Sequence, residues 1–302
     1  MSYYNGAIMA EPTKSVHVNS EIDLHCHSNA SDGHFPPDEL VRLAAGRGIK
    51  TLAITDHDTV DGFRRGRNTA AELGIRLIPG IELSTVWSGV SVHIVGLGFD
   101  PDAAVMQQAE QHQSSVRAAR AEIIAARLAK KLRCDIPLAE VIAFGNTSAD
   151  QLGRPHFAKY LVEKGLVPSI QHAFSKLLGA GKIGDVKSGW PEMTTAVEWI
   201  VAAGGTPVLA HAHLYNMTRT KLRSCIRDFA AAGGKALEVS YGKMDGNQSG
   251  QMAALAREFN MLGSCGSDYH GPNRFGLELG VMPTFPSLIT PVWQQWQVST
   301  PA

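Results

Sequence analysis

The sequence contains few cysteines, no excess of either charge and no long apolar run. Its cysteines, Cys26, Cys134, Cys225 and Cys265, are far apart and form no C-x-x-C pair. This usage argues against a paired-cysteine site and predicts free thiols in a reducing compartment.

The charges balance, with 28 basic and 28 acidic side chains and a pI near 7.2. A surface without bulk positive charge would have to hold a nucleic-acid substrate locally, so we expect no stable nucleic-acid partner. No apolar run is long enough to span a membrane, and residues 1–20 lack an apolar core of signal-peptide length. We therefore expect no membrane partner, a flexible arm over residues 1–20 and a cytoplasmic location.

Short apolar runs alternate with segments of helical periodicity along much of the 302-residue chain. The apolar runs predict strands at Ile22–Cys26, Thr51–Thr55, Arg76–Pro79, His93–Phe99, Thr206–Ala210, Ala236–Val239 and Gly263–Gly266. The periodic segments predict helices at Pro37–Gly46, Asp61–Gly74, Met193–Ala203, Thr218–Ala232 and Gln248–Asn260. Repeated β/α alternation is typical of an α/β protein with a parallel sheet or barrel.

The alternation stops between residues 101 and 190, where one helical pattern follows another. Helices are predicted there at Val105–Leu132, Leu138–Phe144, Arg154–Lys164 and Ser169–Leu178. We predict a barrel from residues 21–100 and 191–290, with residues 101–190 inserted as helices over the C-terminal ends of its strands, where the active sites of such barrels lie. Residues 291–302 are predicted to form a C-terminal tail.

Histidine is abundant, at 12 residues, and it recurs with carboxylates near the predicted strand ends. His25 and His27 point to the same face of the first strand, because side chains alternate along a strand. The other residues of this kind are Asp32, Asp56, His57, Asp58, Glu82, His93, His211, His213, Glu238, Asp268 and His270. Buried imidazoles and carboxylates are costly unless they are paired or bound to a metal, so one shared metal site explains the whole pattern.

The residue types narrow the choice of metal. Imidazole and carboxylate ligands without cysteine suit Mn²⁺, Fe²⁺ or Zn²⁺, whereas Ca²⁺ prefers oxygen ligands alone. The candidate ligands exceed the need of one ion, so we expect two or three ions, with Mn²⁺ as the first choice. Neighbouring divalent ions suit the hydrolysis of phosphate esters, and the sequence therefore predicts a metal-dependent phosphoric ester hydrolase.

The motif set resembles the PHP family, named for polymerase and histidinol phosphatase domains. It consists of HxH after the first strand, TDHD after the second, a glutamate after the third and a terminal D-x-H. DLHCHSNASDG, GRPHFAKYLVEKG, the GK turn at Lys182 and LAHAHLYNMTRT are similar to the branch of 3′,5′-nucleotide bisphosphate phosphatases and 5′-to-3′ exoribonucleases. The resemblance runs from about Ile22 to Pro283 and implies an amidohydrolase-like, distorted (β/α)₇ barrel with a helical insertion.

The resemblance also implies a centre of three metal ions whose ligands are histidine, aspartate and glutamate. The implied sets are His25, His27, Glu82 and Asp268 for one ion, Glu82, His93 and His156 for a second, and Asp32, His57 and His270 for a third.

Other residues are candidates for substrate contacts and catalysis. Arg154 can hold a phosphate in a bidentate fork, and Lys182 can bring its ammonium to a second phosphate. His211 can orient the attacking water, contact the phosphate or protonate the leaving alkoxide, and these alternatives stay open. The branch usually has Pro-Gly-Arg after LAH, but this chain has AHL, so His213 is either a phosphate contact or a polar loop residue. Arg219 is the arginine placed to compensate.

The favoured function is removal of the 3′-phosphate from 3′,5′-bisphosphonucleosides such as pAp, giving AMP. A 5′-to-3′ exoribonuclease acting on short 5′-phosphorylated RNA would use the same chemistry. Histidinol phosphate phosphatase and a non-catalytic, metal-binding regulatory module are further alternatives. A neutral pI and the lack of an aromatic stacking stripe favour the small nucleotide. The sequence predicts neither the oligomeric state nor the base preference.

Overall fold

Three sheets organise the fold in the computed structural model, which describes residues 17–272 and 276–296. Over this range the strands are β1 (His17–Asn19), β2 (Ile22–Cys26), β3 (Thr51–Ile54), β4 (Arg76–Ile78), β5 (Gly80–Trp87), β6 (Val90–Leu97), β7 (Thr206–Leu209), β8 (Ala236–Tyr241), β9 (Leu262–Gly266) and β10 (Val281–Pro283). The helices are α1 (Pro37–Gly46), α2 (Asp61–Glu72), α3 (Ala104–Leu132), α4 (Leu138–Gly145), α5 (Arg154–Glu163), α6 (Ile170–Ala173), α7 (Met193–Ala202), α8 (Arg219–Ala231) and α9 (Gly246–Glu258). A π-turn at Phe174–Leu178 follows α6, and 3₁₀ turns cover Ala149–Gln151, Ala212–Leu214 and Val292–Trp296.

The sheet order explains how the strand ends meet. β2, β3 and β4 are parallel neighbours, and the larger sheet has the order β5-β6-β7-β8-β9. Parallel bridges link the two sheets at His57 with Glu82 and at Cys26 with Tyr269. Because these bridges and the pairs β7-β8 and β8-β9 are parallel, the C-terminal ends of β2, β3, β8 and β9 lie at the same end of the molecule.

Each strand predicted from the sequence is present, but the expected run of parallel strands is broken at β6. This strand is antiparallel to both β5 and β7. The physical reason is a two-residue hairpin turn, Ser88-Gly89, in which both residues have positive φ angles (48° and 73°). Such a turn matches the twist of antiparallel strands and joins them directly. It also makes Gly80–Trp87 a strand, so Glu82 lies within β5 rather than in a loop.

The stretch predicted to be helical, residues 101–190, contains α3 to α6 and is called the helical segment below. It has its own apolar core, whose members include Leu128, Val141, Phe157 and Leu161. α3 extends beyond this core, because Met106 near its beginning packs into the main core of the strands. In the described ranges, no helix is both long and apolar enough to cross a membrane.

The rest of the described chain, residues 17–100, 191–272 and 276–296, is called the strand region. Of the predicted arm over residues 1–20, residues 1–16 lie outside the described residues. His17–Asn19 form β1, which pairs with β10, so the last part of that arm belongs to a sheet. In the predicted tail, Val292 is buried in a core cluster, and residues 297–302 lie outside the described range.

Candidate metal centre

Glu82 is the centre of the site and is buried on β5. Imidazoles from several elements converge on its carboxylate, with ring nitrogens 2.9–3.5 Å from its oxygens. These rings are those of His25, His27, His57, His93 and His211. A carboxylate has about four lone-pair sites, so five rings exceed what it can bind by hydrogen bonds alone. The excess fits a cluster of donors that share divalent cations.

Some ring nitrogens of the cluster make no hydrogen bond within the described residues. They are Nε2 of His25, both ring nitrogens of His27 and Nδ1 of His57, and all four atoms are buried. A buried polar atom left without a partner costs about 1–3 kcal/mol, so such atoms need an explanation. A metal ion supplies one, since it accepts the lone pair of a neutral imidazole. The histidine and carboxylate donors present therefore fit the metals expected from the sequence.

The donor atoms fall into four overlapping groups, and within each group they lie within 4.8 Å of one another. The groups are His27, Asp32, His57 and His270; His25, Glu82 and His211; His25, His27 and Asp268; and His57, Glu82 and His93. Every ligand predicted from the sequence except His156 belongs to one of these groups. Because the groups share members, they describe neighbouring positions rather than separate sites.

His156 is the one predicted ligand that joins none of these four donor groups of described residues. It is the third residue of α5, and its Nδ1 accepts a hydrogen bond of 3.0 Å from the backbone N–H of Gly153 in a capping box. His211 provides the additional imidazole beside Glu82, at 2.9 Å, although the sequence suggested only a catalytic or substrate role for it.

Two of these side chains belong to residues that follow strands and have strained backbone conformations. His211 follows β7 and Asp268 follows β9, and their φ angles are 30° and 54°, in a region that costs non-glycine residues free energy. The N–H of His211 donates to Glu238 at 2.6 Å, and the N–H of Asp268 donates to the carbonyl of His25 at 2.7 Å. These bonds hold both residues in conformations that direct their side chains to the cluster.

The electrostatics separate the imidazoles into different charge states. Burial and the neighbouring His270 lower the pKa of His27 to about 3. Burial opposes a charge on His270, but Asp32 and Asp268 raise its pKa to about 9. The two rings stack with centroids 4.0 Å apart. His27 is therefore neutral at physiological pH and keeps a lone pair for a cation.

Carboxylates around the cluster position its loops and rings. Asp56 accepts hydrogen bonds from the backbone N–H and hydroxyl of Ser28, at 2.8 and 2.6 Å, and from the hydroxyl of Ser31, at 2.6 Å. It thereby orders the turn that carries His27 and Asp32. Burial raises the pKa of Asp56 to about 6.

Two further residues hold the ligand side chains from behind. The carboxylate of Glu238, on β8, lies 3.0 Å from Nδ1 of His25 and also accepts the backbone N–H of His211. The hydroxyl of Tyr241 donates to Oδ2 of Asp268 at 2.8 Å. Partners of this kind fix ligand orientation and tune metal affinity.

Asp58 connects the cluster to the helical segment. Its Oδ1 accepts hydrogen bonds of 2.7 Å from Nε2 of Gln113 and from the backbone N–H of Ser84. Its Oδ2 accepts one of 2.7 Å from Nε of Arg117. Since His57 is the adjacent residue, α3 is fixed directly to the loop that carries a candidate ligand.

A cavity of about 180 Å³ opens between the cluster and the helical segment. Its first wall, the ligand wall, carries Asp32, His57, His93 and His270. Its second wall, the arginine wall, carries Arg117, Arg120, Arg154 and Trp190. The cavity thus brings candidate cation ligands and a group of guanidinium cations to one shared space.

The arginine wall is built to hold its cations close together. The guanidinium of Arg120 lies 4.2 Å from the ring centroid of Trp190, and its Nε donates to the carbonyl of Val186. Nη1 of Arg154 lies 3.5 Å from a carboxylate oxygen of Asp185. Burial and the charges of Arg117 and Arg154 lower the pKa of Arg120 to about 9. An anion in the cavity would relieve this repulsion.

The other substrate contacts predicted from the sequence lie elsewhere. Lys182 lines a neighbouring cavity of about 900 Å³. Arg219 and His213 line a third cavity, of about 230 Å³, and the ring of His213 packs 4.9 Å from that of Tyr241. Of the predicted substrate contacts other than His211, only Arg154 faces the same cavity as the ligand wall.

Sequence reasoning missed Arg117 and Arg120, although a signal was present. Gln113, Arg117 and Arg120 recur at helical spacing in an alanine-rich stretch and form one buried stripe of α3. Polar residues on a helix usually face solvent, so this stripe predicts a solvated surface when it is considered alone. Only the docking of α3 on Asp58 shows that the stripe lines a site.

Comparisons with known proteins agree with this geometry. The PHP domain model matches residues 23–131. A 5′-3′ exoribonuclease of Haemophilus influenzae is 40% identical over 283 residues, covering 92% of this chain and 100% of the relative. A 3′,5′-nucleoside bisphosphate phosphatase of Chromobacterium violaceum is 36% identical over 289 residues, covering 91% and 96%.

A solved structure is also similar over most of its length. It is an amidohydrolase from Chromobacterium violaceum with bound sulfate and no metal, and it aligns with a TM-score of 0.85 and 35% identity over 91% of this chain and 95% of that chain. The fold and the clustered donors define an α/β protein with a candidate centre for divalent metal ions. Within that class, this chain belongs to the PHP family.

Proposed function

We propose that this protein is a metal-dependent phosphoric ester hydrolase that removes the 3′-phosphate from 3′,5′-bisphosphonucleosides such as pAp. The observation that carries the proposal is the pairing of the ligand wall with the arginine wall across one cavity. A substrate with two phosphates can place one on each wall. The named activities of the Haemophilus and Chromobacterium relatives support the same substrate class.

The ligand wall and the buried residues behind it would hold two or three divalent ions, with Mn²⁺ as the first choice. His25, His27 and Asp268 form one donor group, and Glu82 joins the groups that contain His93 and His211. Bound divalent ions supply an attacking water of lowered pKa and neutralise charge on the phosphate. His211 is proposed as a ligand because its Nε2 lies 2.9 Å from Glu82.

The arginine wall would bind and orient the second phosphate. A guanidinium presents two parallel N–H donors to a phosphate, which gives direction as well as charge. Asp58 fixes Arg117 by its Nε, and Asp185 lies beside Arg154. These carboxylates hold the forks in place, so that the reacting phosphate lies at the ligand wall when the other phosphate is bound.

We further propose that the strands form a distorted (β/α)₇ barrel of the PHP type, located in the cytoplasm. In this proposal residues 21–100 and 191–290 form the barrel and residues 101–190 form an inserted helical subdomain that covers the site. Two observations support the insertion: the helical segment has a separate apolar core, and it contributes the arginine wall.

A second candidate function is 5′-to-3′ exonucleolytic cleavage of short 5′-phosphorylated RNA. It uses the same cavity, with the 5′-phosphate on the arginine wall and the first phosphodiester at the ligand wall. The neighbouring cavity of about 900 Å³, which carries Lys182, favours it. Histidinol phosphate has a single phosphate and would leave the arginine wall unused. A non-catalytic module would not need this wall either.

The test is phosphate release from pAp, short RNA and histidinol phosphate by the Mn²⁺-loaded protein. We expect release from pAp that stops when a chelator removes the metal and returns when Mn²⁺ is restored. Glu82→Gln should abolish it, whereas Glu198→Gln, which removes the same charge from an exposed residue outside the donor groups and the cavity lining, should not. Inertness of the wild type toward all three substrates, with bound metal verified, would overturn the proposal.

A further inference from the structure

We propose that the 900 Å³ cavity beside the metal-facing cavity, called the lysine groove, binds the backbone of RNA beyond the first nucleotide. This inference rests on the proposed phosphoesterase function and identifies where a longer substrate would lie. Three lysines and no acidic residue line the groove, which is formed by Pro155, Lys159, Ile170, Gln171, Phe174, Ser175, Gly179, Ala180, Lys182 and Lys243.

The groove is continuous with the proposed active site. Pro155 and Phe174 line both the metal-facing cavity and the lysine groove. α5 serves both, because Arg154 lies in the arginine wall and Lys159, five residues later on the same helix, lines the groove. A chain whose 5′-phosphate is held by Arg154 therefore has a neighbouring space in which to continue.

The charge of the groove is local. The whole chain has as many acidic as basic residues, yet the groove collects lysines from α5, from the turn at Lys182 and from the loop after β8 that carries Lys243. Lys182 and Lys243 are exposed and form no ion pair with the described residues. Unpaired ammonium groups that border a cavity fit successive phosphates, which need charge but no base-specific geometry.

Size separates the two cavities. The metal-facing cavity, at about 180 Å³, is much smaller than the lysine groove, and the proposed function places only the two end phosphates of the substrate at its walls. It has no room for a chain of nucleotides, whereas the groove is about 900 Å³. Phe174, at the junction, offers an aromatic face for a base, and such stacking does not depend on sequence.

The chemistry gives the groove a defined role. Hydrolysis places the hydroxyl of water on phosphorus and breaks the P–O3′ bond, and O3′ of the released mononucleotide takes the proton. The phosphate stays with the shortened RNA as its new 5′-phosphate. A groove that holds the downstream backbone would therefore retain this product for the next cycle, whereas pAp has no further phosphate for the lysines of the groove to bind.

The experiment compares a 5′-phosphorylated RNA pentamer with pAp on Mn²⁺-loaded protein. The test variant is Lys182→Glu/Lys243→Glu, and the matched control is Lys176→Glu, an exposed lysine of the neighbouring π-turn that does not line the groove. We expect the double variant to lower the ratio of kcat/KM for RNA to kcat/KM for pAp by about tenfold or more. For the double variant acting on RNA, we also expect a shallower slope of log kcat/KM against log salt concentration. The slope should decrease by about 0.7 for each phosphate that the altered groove no longer neutralises.

The outcomes separate this inference from the function on which it rests. The proposed role of the groove would be overturned if the double variant kept the wild-type ratio of kcat/KM for RNA to kcat/KM for pAp and the wild-type salt slope. An equal loss of kcat/KM on both substrates would overturn it as well. A wild type that hydrolyses pAp but not RNA would overturn the groove alone. A wild type that hydrolyses neither would overturn the proposed function, and the groove with it. The Lys176→Glu control should leave the ratio unchanged.

Discussion

The two walls of the metal-facing cavity differ in origin and in charge. The ligand wall comes from strand ends and loops of the strand region, and its histidines and carboxylates suit cations. The arginine wall comes mainly from the helical segment, and its guanidinium groups suit anions. In the proposed function the strand region would provide the reacting centre, and the helical segment would select substrates by their second phosphate.

The largest expected effect is the loss of the ligand wall. Glu82→Gln removes the carboxylate shared by two donor groups, so metal content should fall and turnover of pAp should become undetectable. The loss should exceed the roughly 10–100-fold that is typical when a residue behind a ligand is changed. Elemental analysis and phosphate release measure both. Full metal content in Glu82→Gln protein would contradict the role given to this residue.

The second-largest expected effect is a loss of stability in the helical segment that leaves the metal centre intact. Phe157→Ala removes a fully buried ring from the core of the helical segment and should cost about 3–5 kcal/mol in the free energy of unfolding. Denaturant unfolding measures this cost, and elemental analysis of the folded variant should show retained metal. Loss of metal from folded Phe157→Ala protein would mean that the two regions are not separable.

Arg117→Ala should weaken the arginine wall alone. Loss of a charged hydrogen-bonding partner is worth about 1.5–3 kcal/mol, so KM for pAp should rise by roughly 10–100-fold with little change in metal content. Arg127→Ala, an exposed arginine of the same helix, is the control. A fall in metal content with unchanged KM would instead assign Arg117 to the ligand wall, through its bond to Asp58.

Tyr241→Phe should have a smaller effect, on the ligand wall only. It deletes the hydroxyl that donates to Asp268 but keeps the ring that packs against His213. We expect metal affinity to fall by about tenfold, with KM for pAp at saturating Mn²⁺ unchanged. A metal titration followed by activity measures the shift. Unchanged affinity would show that Asp268 does not need this hydrogen bond.

The smallest expected effect is a difference between the two regions in how fast their cysteine thiols react. Burial raises the pKa values of Cys26 and Cys265 and raises that of Cys225 to about 12, and all three lie in the strand region. Because the thiolate is the reactive form, iodoacetamide at pH 8 should leave these three unmodified in the native protein. Cys134, half-buried in the helical segment, should be the one that reacts. Peptide mass analysis checks this, and early modification of Cys225 would contradict it.

The sequence predicts much of the strand region because its signals are local. Alternating apolar runs located the strands, and histidines or carboxylates near their ends indicated residues that meet at one site. The hairpin at Ser88-Gly89 was missed, because the expected β/α repeat was given more weight than a two-residue turn.

The site residues whose roles the sequence leaves open are those whose position depends on tertiary docking. His156 and His211 both follow recognisable motifs, and the motif does not tell which ring reaches Glu82. In the structure α5 uses His156 in its capping box, while strained backbone turns His211 inward. The stripe containing Arg117 and Arg120 has the pattern of a solvated helix face until α3 docks on Asp58.

The most direct test is a crystal structure of the Mn²⁺-loaded protein with AMP, with anomalous scattering recorded at the manganese edge. We predict manganese peaks among His25, His27, Glu82 and the other donor groups, and the 5′-phosphate of AMP on Arg117, Arg120 and Arg154. Manganese absent from these donors, or a nucleotide phosphate bound away from the arginines, would contradict the two-wall description.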